Sequence, residues 1–240
     1  MKAKKRTVLT AIQVALALFV AAGLVWLVYK VVGYAQAQQV YSNIESAYAS
    51  ELDNDTIDFA ALREQYPDVV AWIKMDDVDV SYPIVQGDDN EYYLHCDPSG
   101  ASSVSGSVFL DYRNKSLDTD LYALVYGHNM RDESMFGKLD EYVSEDFYNR
   151  GTGTFRIYTP NGTYRYQIFA VNIVDPTDAT YTNGFTNTQV LDAFVKQLKE
   201  NSMYDTGVTV AGSDHVVTLS TCSNSDRLVL SAKRVSATGR

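Results

Sequence analysis

Twenty-three consecutive residues without a charge, Thr7 to Tyr29, follow a basic tip of Lys2, Lys4, Lys5 and Arg6. A helix rising 1.5 Å per residue over that length crosses a hydrocarbon core of roughly 30 Å. Trp26 and Tyr29 fall near its far end, where amphipathic rings favour the membrane interface. No Asp or Glu occurs before Glu45. A basic cluster is retained on the cytoplasmic side, so a single-pass topology is expected, with the N-terminus inside and everything beyond about Gly33 outside. A core helix of a soluble domain would not be charge-free for so long beside a basic tetrad. Ala35-Gln36-Ala37 has the small-x-small form of a signal-peptide cleavage site, yet the apolar run exceeds the roughly 7–15 residues of a signal peptide. The expectation is an uncleaved anchor.

Five of the 20 basic residues (Lys2, Lys4, Lys5, Arg6 and Lys30) belong to this region, so the exported remainder sets 15 against 30 acidic residues. Such a surface is soluble and repelled by phosphate backbones and anionic lipid, which excludes a non-specific nucleic-acid binder. Two cysteines are too few for a disulfide scaffold or a four-cysteine zinc site, and three histidines leave little for a histidine-rich metal centre. Neither a metal nor an organic cofactor is expected. Cys96 and Cys222 allow one disulfide or two free thiols.

Beyond the anchor, AQAQQVYSNIESAYASEL carries Val40, Ile44 and Tyr48 at intervals of four, one face of an amphipathic helix. A second short helix is expected from Asp58 to Tyr66, closed by Pro67. This segment reads either as a stalk or as a layer packed on the following domain. From Val69 the pattern changes: VVAWIKM, VSYPIVQ, GSVFLDY, LYALVYG, GTFRIYT, YRYQIFAVNIV, HVVTLSTC and RLVLSAKRV alternate with Gly, Asp, Asn and Ser. About eight strands at this spacing predict a mainly β sandwich or barrel, and the 18 tyrosines suit half-buried strand faces. One helix interrupts late, Thr188 to Glu200, with Val190, Leu191, Phe194, Val195 and Leu198 recurring at three and four.

The last hairpin concentrates the chemistry. If Ser223-Asn-Ser-Asp226 forms the turn, Leu219 faces Leu230, Thr221 faces Leu228 and Cys222 faces Arg227. Val217, Leu219, Thr221, Leu228, Leu230 and Ala232 then share a core face; Thr218, Ser220, Cys222, Arg227 and Ser231 share the other. A cation beside a thiol favours the thiolate, and a guanidinium can hold a developing oxyanion. A third group, His128, follows the strand Leu121 to Tyr126 at a Gly turn of Gly127, His128 and Asn129, where an imidazole can exchange a proton with a thiol or a leaving amine. His95 and His215 lack such a setting and read as structural. Cys96 is adjacent to His95 and therefore points to the opposite strand face, a poor catalytic pair.

Cys222 within TLSTC, His128 within YGHNM and Arg227 opening RLVLSAK resemble the Cys-His-Arg triad of the sortases, class B. The resemblance extends through DVVAWIKM, VSYPIVQGDDNEYYL, GSVFLDYRN, YGHNMRDESMFGKLDEY and YTNGF with its following helix, over about 170 residues. The chain departs from the family at Asp76-Asp77-Val78, where a Gly-containing turn is usual, and in a short Cys222-to-Arg227 connection. Cys96 matches no position of the family pattern. The resemblance implies a closed sortase-type β-barrel with a helical N-terminal segment and a helix in the loop before the cysteine strand. The division would be residues 1–33 as basic tip and anchor, 34–66 as helical segment and 67–240 as catalytic barrel.

By the same resemblance, Cys222 is the nucleophile, His128 the proton donor and acceptor, and Arg227 the oxyanion partner, with Asn129, Ser220 and Thr221 flanking as substrate contacts. The implied partners are surface proteins with a C-terminal sorting signal of the Asn-Pro-x-Thr-Asn kind and an amine of a peptidoglycan precursor or crossbridge. A pilin-polymerising enzyme with a lysine acceptor, a peptidoglycan-directed cysteine enzyme and a non-catalytic binding module are the alternatives.

Overall fold

The computed structural model of the chain describes residues 2–49, 57–222 and 225–239, and for residues 2–9 and 222 the backbone alone. The uncharged stretch lies within one helix, α1 (Lys2–Tyr48). No proline interrupts it, and the isolated glycines Gly23 and Gly33 are tolerated at a cost of about 1 kcal/mol each. Its apolar part is exposed, with Phe19 at 77% and Val25 at 71%, and is long and apolar enough to cross a membrane. The C-terminal part behaves differently. Ala37, Tyr41 and Ile44 are buried, and Val40 and Tyr48 pack partly against the same hydrophobic cluster as Ile44. Packing of this segment on the domain, rather than a free stalk, is thus what the structure shows. Burying a side chain such as Ile44 stabilises this docking by about 1.5–3 kcal/mol. The helix runs unbroken through residues 33 and 34, where the sequence divides anchor from helical segment.

A short helix follows, α2 (Phe59–Gln65), whose N-terminal amide at Ala61 is capped by the Asp58 carboxylate at 3.0 Å. Eight strands then form the barrel: β1 (Val69–Met75), β2 (Val80–Val85), β3 (Val108–Leu110), β4 (Tyr122–His128), β5 (Thr154–Thr159), β6 (Gly162–Val174), β7 (Val216–Cys222) and β8 (Arg227–Gly239). Their order is β1-β2-β3-β4-β7-β8-β6-β5, closed by β5 against β1. Two contacts are parallel, β2 with β3 and β4 with β7. The β1–β2 turn lacks glycine, and Asp79 takes the left-handed conformation there at φ 51°.

Short helices that the sequence pattern did not announce lie between strands: α3 (Tyr92–His95), a 3-10 helix at Gly137–Val143 and α4 (Glu145–Arg150). The late helix α5 occupies Thr188–Glu200, the expected bounds, with Asn187 capping Gln189 and Val190.

The barrel interior is filled by side chains such as Ile73, Ile84, Val125, Phe136, Ile168, Leu219 and Leu230. A second cluster, with Trp72, Phe109 and Tyr158, packs with Ile44 of α1 and with Phe59 and Leu62 of α2; a third, with Tyr122, Leu124 and Phe169, packs with Leu191, Val195 and Leu198 of α5. Much of the barrel wall is therefore buried on both faces. That explains why the polar outer residues Thr218, Ser220 and Ser231 are themselves fully buried. The hydroxyls of Thr218 and Ser231 satisfy each other at 2.9 Å.

Candidate active site

Three adjacent strands, β4, β7 and β8, bring the sequence-predicted residues to one end of the barrel. Because β4 and β7 are parallel, both chains arrive there with their C-terminal ends together, and His128 is paired directly with Cys222. The match covers seven residue pairs from Tyr122↔Val216 onward. It fixes the backbone neighbourhood of two residues that are 94 positions apart in the chain.

On the other side of β7, the hairpin takes the expected register, with Leu219 opposite Leu230 and Thr218 opposite Ser231. Regular pairing ends at Ser220↔Val229. The next step is made by a side chain: Thr221 Oγ1 accepts from the Leu228 amide at 3.1 Å and lies 3.4 Å from its carbonyl oxygen as donor. Thr221 thereby holds the hairpin mouth just before Cys222 and Arg227. Arg227 opens β8, half-buried, paired with Val174 at the end of β6. Among the described residues no carboxylate forms an ion pair with Arg227. Of the connecting turn, Ser223 and Asn224 lie outside the described residues.

His128 is half-buried, and its Nε2 is 2.8 Å from the Leu94 carbonyl oxygen. A carbonyl only accepts, so Nε2 carries a proton, and proton exchange falls to Nδ1. Gly127 is required just before it: a Cβ there would come within 2.7 Å of the Phe136 ring. Phe136 in turn donates its amide to the His128 carbonyl at 3.0 Å, closing the loop that follows β4. Asn129 belongs to that closure as well. It bridges to Met135, and its amide donates to both carboxylate oxygens of Asp140, at 3.1 and 2.9 Å. Ser220 is buried with its hydroxyl 2.9 Å from that of Tyr181, the first residue of the YTNGF segment.

His215 Nδ1 lies 2.9 Å from the Asp120 carbonyl, a structural tie. Cys96 is a half-buried free thiol whose backbone bridges to Ser102. Among the described residues no group of three or more His, Cys, Asp or Glu is arranged to hold a metal ion.

One network near this end was missed at the level of sequence. Asp111, fully buried, accepts from Arg113 Nε and Nη2 at 2.8 and 2.7 Å, from Asn90 at 3.0 Å and from the Tyr126 hydroxyl at 2.9 Å. Burial by itself would raise its carboxyl, but the Arg113 bonds, with those of Tyr126 and Asn90, hold it below the ordinary value. The same arrangement pushes the Tyr126 phenol far up, through burial first and the Asp111 charge second. Arg113 also reaches the Tyr181 carbonyl at 3.1 Å, and Tyr126 stacks on Tyr181 with centroids 6.2 Å apart. The network thus ties β3 and β4 to the loop after β6. An Asp-x-Arg spacing in SVFLDYRN is the signal that could have found it.

In this closed barrel two parallel strands end on a histidine and a cysteine, and an arginine opens the next strand. Comparison with known proteins gives the particular family. A sortase domain model matches residues 73–235. Sortase B of Listeria monocytogenes is 37% identical over 162 residues, which are 67% of this chain and 65% of that protein's length. Sortase B from Bacillus anthracis in complex with AAEK1 superposes with a TM-score of 0.76 at 32% identity, covering 87% of this chain and 99% of that one. The Staphylococcus aureus sortase B–substrate complex gives 0.77 at 26% identity, covering 84% and 97%. The chain belongs to the sortase family, and its relatives place it in class B.

Proposed function

We propose that this chain is a membrane-anchored transpeptidase that joins surface proteins to the cell wall. It cleaves a C-terminal sorting signal of the Asn-Pro-x-Thr-Asn kind after the Thr, forms a thioester on Cys222, and passes the acyl group to an amine of a peptidoglycan precursor or crossbridge. The observation that carries this reading is the side-by-side placement of His128 and Cys222 at the ends of parallel strands, with Arg227 opening the next strand.

In the first half-reaction the Cys222 sulfur attacks the Thr carbonyl carbon, Arg227 holds the oxyanion, and His128 protonates the leaving amine. In the second, His128 takes a proton from the incoming amine as the C–N bond forms and the C–S bond breaks. Ser220 and Thr221, expected from sequence as substrate contacts, are fully buried with their hydroxyls engaged by Tyr181 and the Leu228 backbone, so their part is to hold the frame, as Asn129 does through Asp140. The apolar part of α1 spans the membrane with the basic tip in the cytoplasm and the barrel outside. It keeps enzyme and membrane-held substrates on one face at high effective concentration.

The test is intact-mass spectrometry of the full chain in detergent with peptides carrying Asn-Pro-x-Thr-Asn or Leu-Pro-x-Thr-Gly. An acyl adduct from the first peptide, absent in Cys222→Ala, is expected. An adduct from the second alone would replace the proposed signal, and none from either, on reduced protein, would remove the proposed reaction.

A further inference from the structure

His128 has a second neighbourhood. A cleft of about 960 Å³ opens beside it, with one wall formed by α1 from Tyr29 to Asn43 and the other by the segment from Leu94 to Val104. The walls are close: a Cβ on Gly33 would stand 3.3 Å from the Val104 side chain. Leu94, whose carbonyl orients the His128 ring, also lines it. So does Asp97, a carboxylate only 6% exposed. Three donors reach Asp97, the Ser99 amide at 2.8 Å, the Ser99 hydroxyl at 2.6 Å and the Ala101 amide at 3.1 Å, and all use Oδ1. Among the described residues none donates to Oδ2. Asp97 thus lines the cleft with one carboxylate oxygen that takes no donor from the described residues and is open to an incoming one.

We infer that this cleft is the binding site of the acceptor, a peptide carrying a primary ammonium, and that Asp97 is its recognition residue. The inference rests on the transpeptidase reading above and deepens it. Strand order supplies the reason. Cys222 lies on the middle strand, with Arg227 on one flank and His128 on the other. An amine that must give its proton to His128 has to arrive on the His128 flank, which is where the cleft opens. Amines are protonated near neutral pH, so the acceptor reaches the enzyme as a cation; Asp97 offers the complementary charge on the Leu94–Val104 wall, while Lys30 on the α1 wall carries the like charge and steers the ammonium toward Asp97. The amine then loses one proton to His128 Nδ1 as its nitrogen bonds the thioester carbon; the C–S bond breaks and the sulfur leaves as thiolate, which takes up the amine's second proton. The departing signal fragment needs only an exit, whereas the acceptor must be recognised. Hence the site concerns the second half-reaction. One wall being α1, next to its apolar stretch, the cleft also faces an acceptor held at a membrane.

The experiment separates the half-reactions in the full chain in detergent, using a sorting-signal peptide as donor and either triglycine or hydroxylamine as nucleophile. Hydroxylamine is uncharged at neutral pH and has no use for Asp97. Asp97→Asn keeps an oxygen for the Ser99 and Ala101 donors and removes the charge. It is expected to raise KM for triglycine about tenfold, with less than twofold change in thioester formation and in capture by hydroxylamine. Gln36→Trp, on the exposed cleft wall of α1, is expected to weaken triglycine capture more than hydroxylamine capture by narrowing the cleft. An unchanged triglycine KM in both variants overturns the inference. So does an equal loss with both nucleophiles in Asp97→Asn, which would mark a structural role. Failure of the parent protein to form any thioester would remove the transpeptidase reading itself, and the inference with it.

Discussion

Strand β7 has two neighbours, and they differ in kind. With β8 it forms an antiparallel hairpin across a short turn; with β4 it forms a parallel contact between residues 94 positions apart. The hairpin is a local structure, set by alternation and turn length, and it brings an arginine to the cysteine strand. The parallel contact brings a histidine, and it exists only because the rest of the barrel closes around it. The proposed oxyanion partner is therefore placed by local sequence, whereas the proposed proton carrier is placed by the global fold. Damage to the core should reach His128 before it reaches Arg227.

Variants can break this comparison on either side, and the largest effects fall on the reacting groups. Cys222→Ala removes the proposed nucleophile and His128→Ala the proposed proton carrier; each should lower transpeptidation at least 1000-fold, on the order of the loss when one member of a catalytic unit is removed. Melting temperature should stay nearly constant, and product chromatography with a sorting-signal peptide checks both variants.

A smaller effect is expected from Gly127→Val, which forces side-chain atoms into the Phe136 ring at the end of β4. Overpacking of this kind costs about 1–3 kcal/mol. Loss of activity should exceed loss of stability, because His128 is displaced directly while the hairpin is reached only through the pairing of Gly127 with Thr221. Chemical denaturation alongside single-turnover kinetics reads both quantities.

Thr221→Val tests the other contact. It keeps the shape but removes the hydroxyl that serves the buried Leu228 backbone, at a cost of about 1–2 kcal/mol in stability. The pH dependence gives a subtler difference. The Asp111 carboxyl is held below its unfolded value of about 3.9, so its contribution to stability is present above that pH and lost as pH falls through the folded value. Asp111→Asn should lower stability at neutral pH and flatten the acid limb of the stability curve, measured by urea unfolding between pH 2 and about pH 7.

What was legible in the sequence follows the same division. All eight strands, α5 and the β7–β8 register could be read, because each rests on periodicity within one or two neighbouring segments. The Gly turn singled out His128 in the sequence, and strand pairing puts its backbone beside that of Cys222. The burial of Thr218, Ser220 and Ser231 could not be read, since what meets that wall comes from outside the hairpin, as Tyr181 does at the Ser220 hydroxyl. Nor could the hold of Leu94 on His128 be read, because a backbone carbonyl leaves no residue signature. Asn129 was singled out for its position beside His128, and its amide proves to be held by Asp140, eleven positions on. Short elements such as α3 and α4 carry too few periodic residues to stand out.

The central claim is that Arg227, placed by the hairpin, stabilises the oxyanion that forms when Cys222 attacks. Its most direct test is the single-turnover rate of thioester formation in Arg227→Lys, followed by intact-mass spectrometry. Lysine keeps the charge but lacks the planar fork of donors. A rate about 100-fold below the parent's, in a protein that melts at the same temperature, is the expected result. Parent-like acylation by Arg227→Lys would contradict the claim and remove Arg227 from the mechanism.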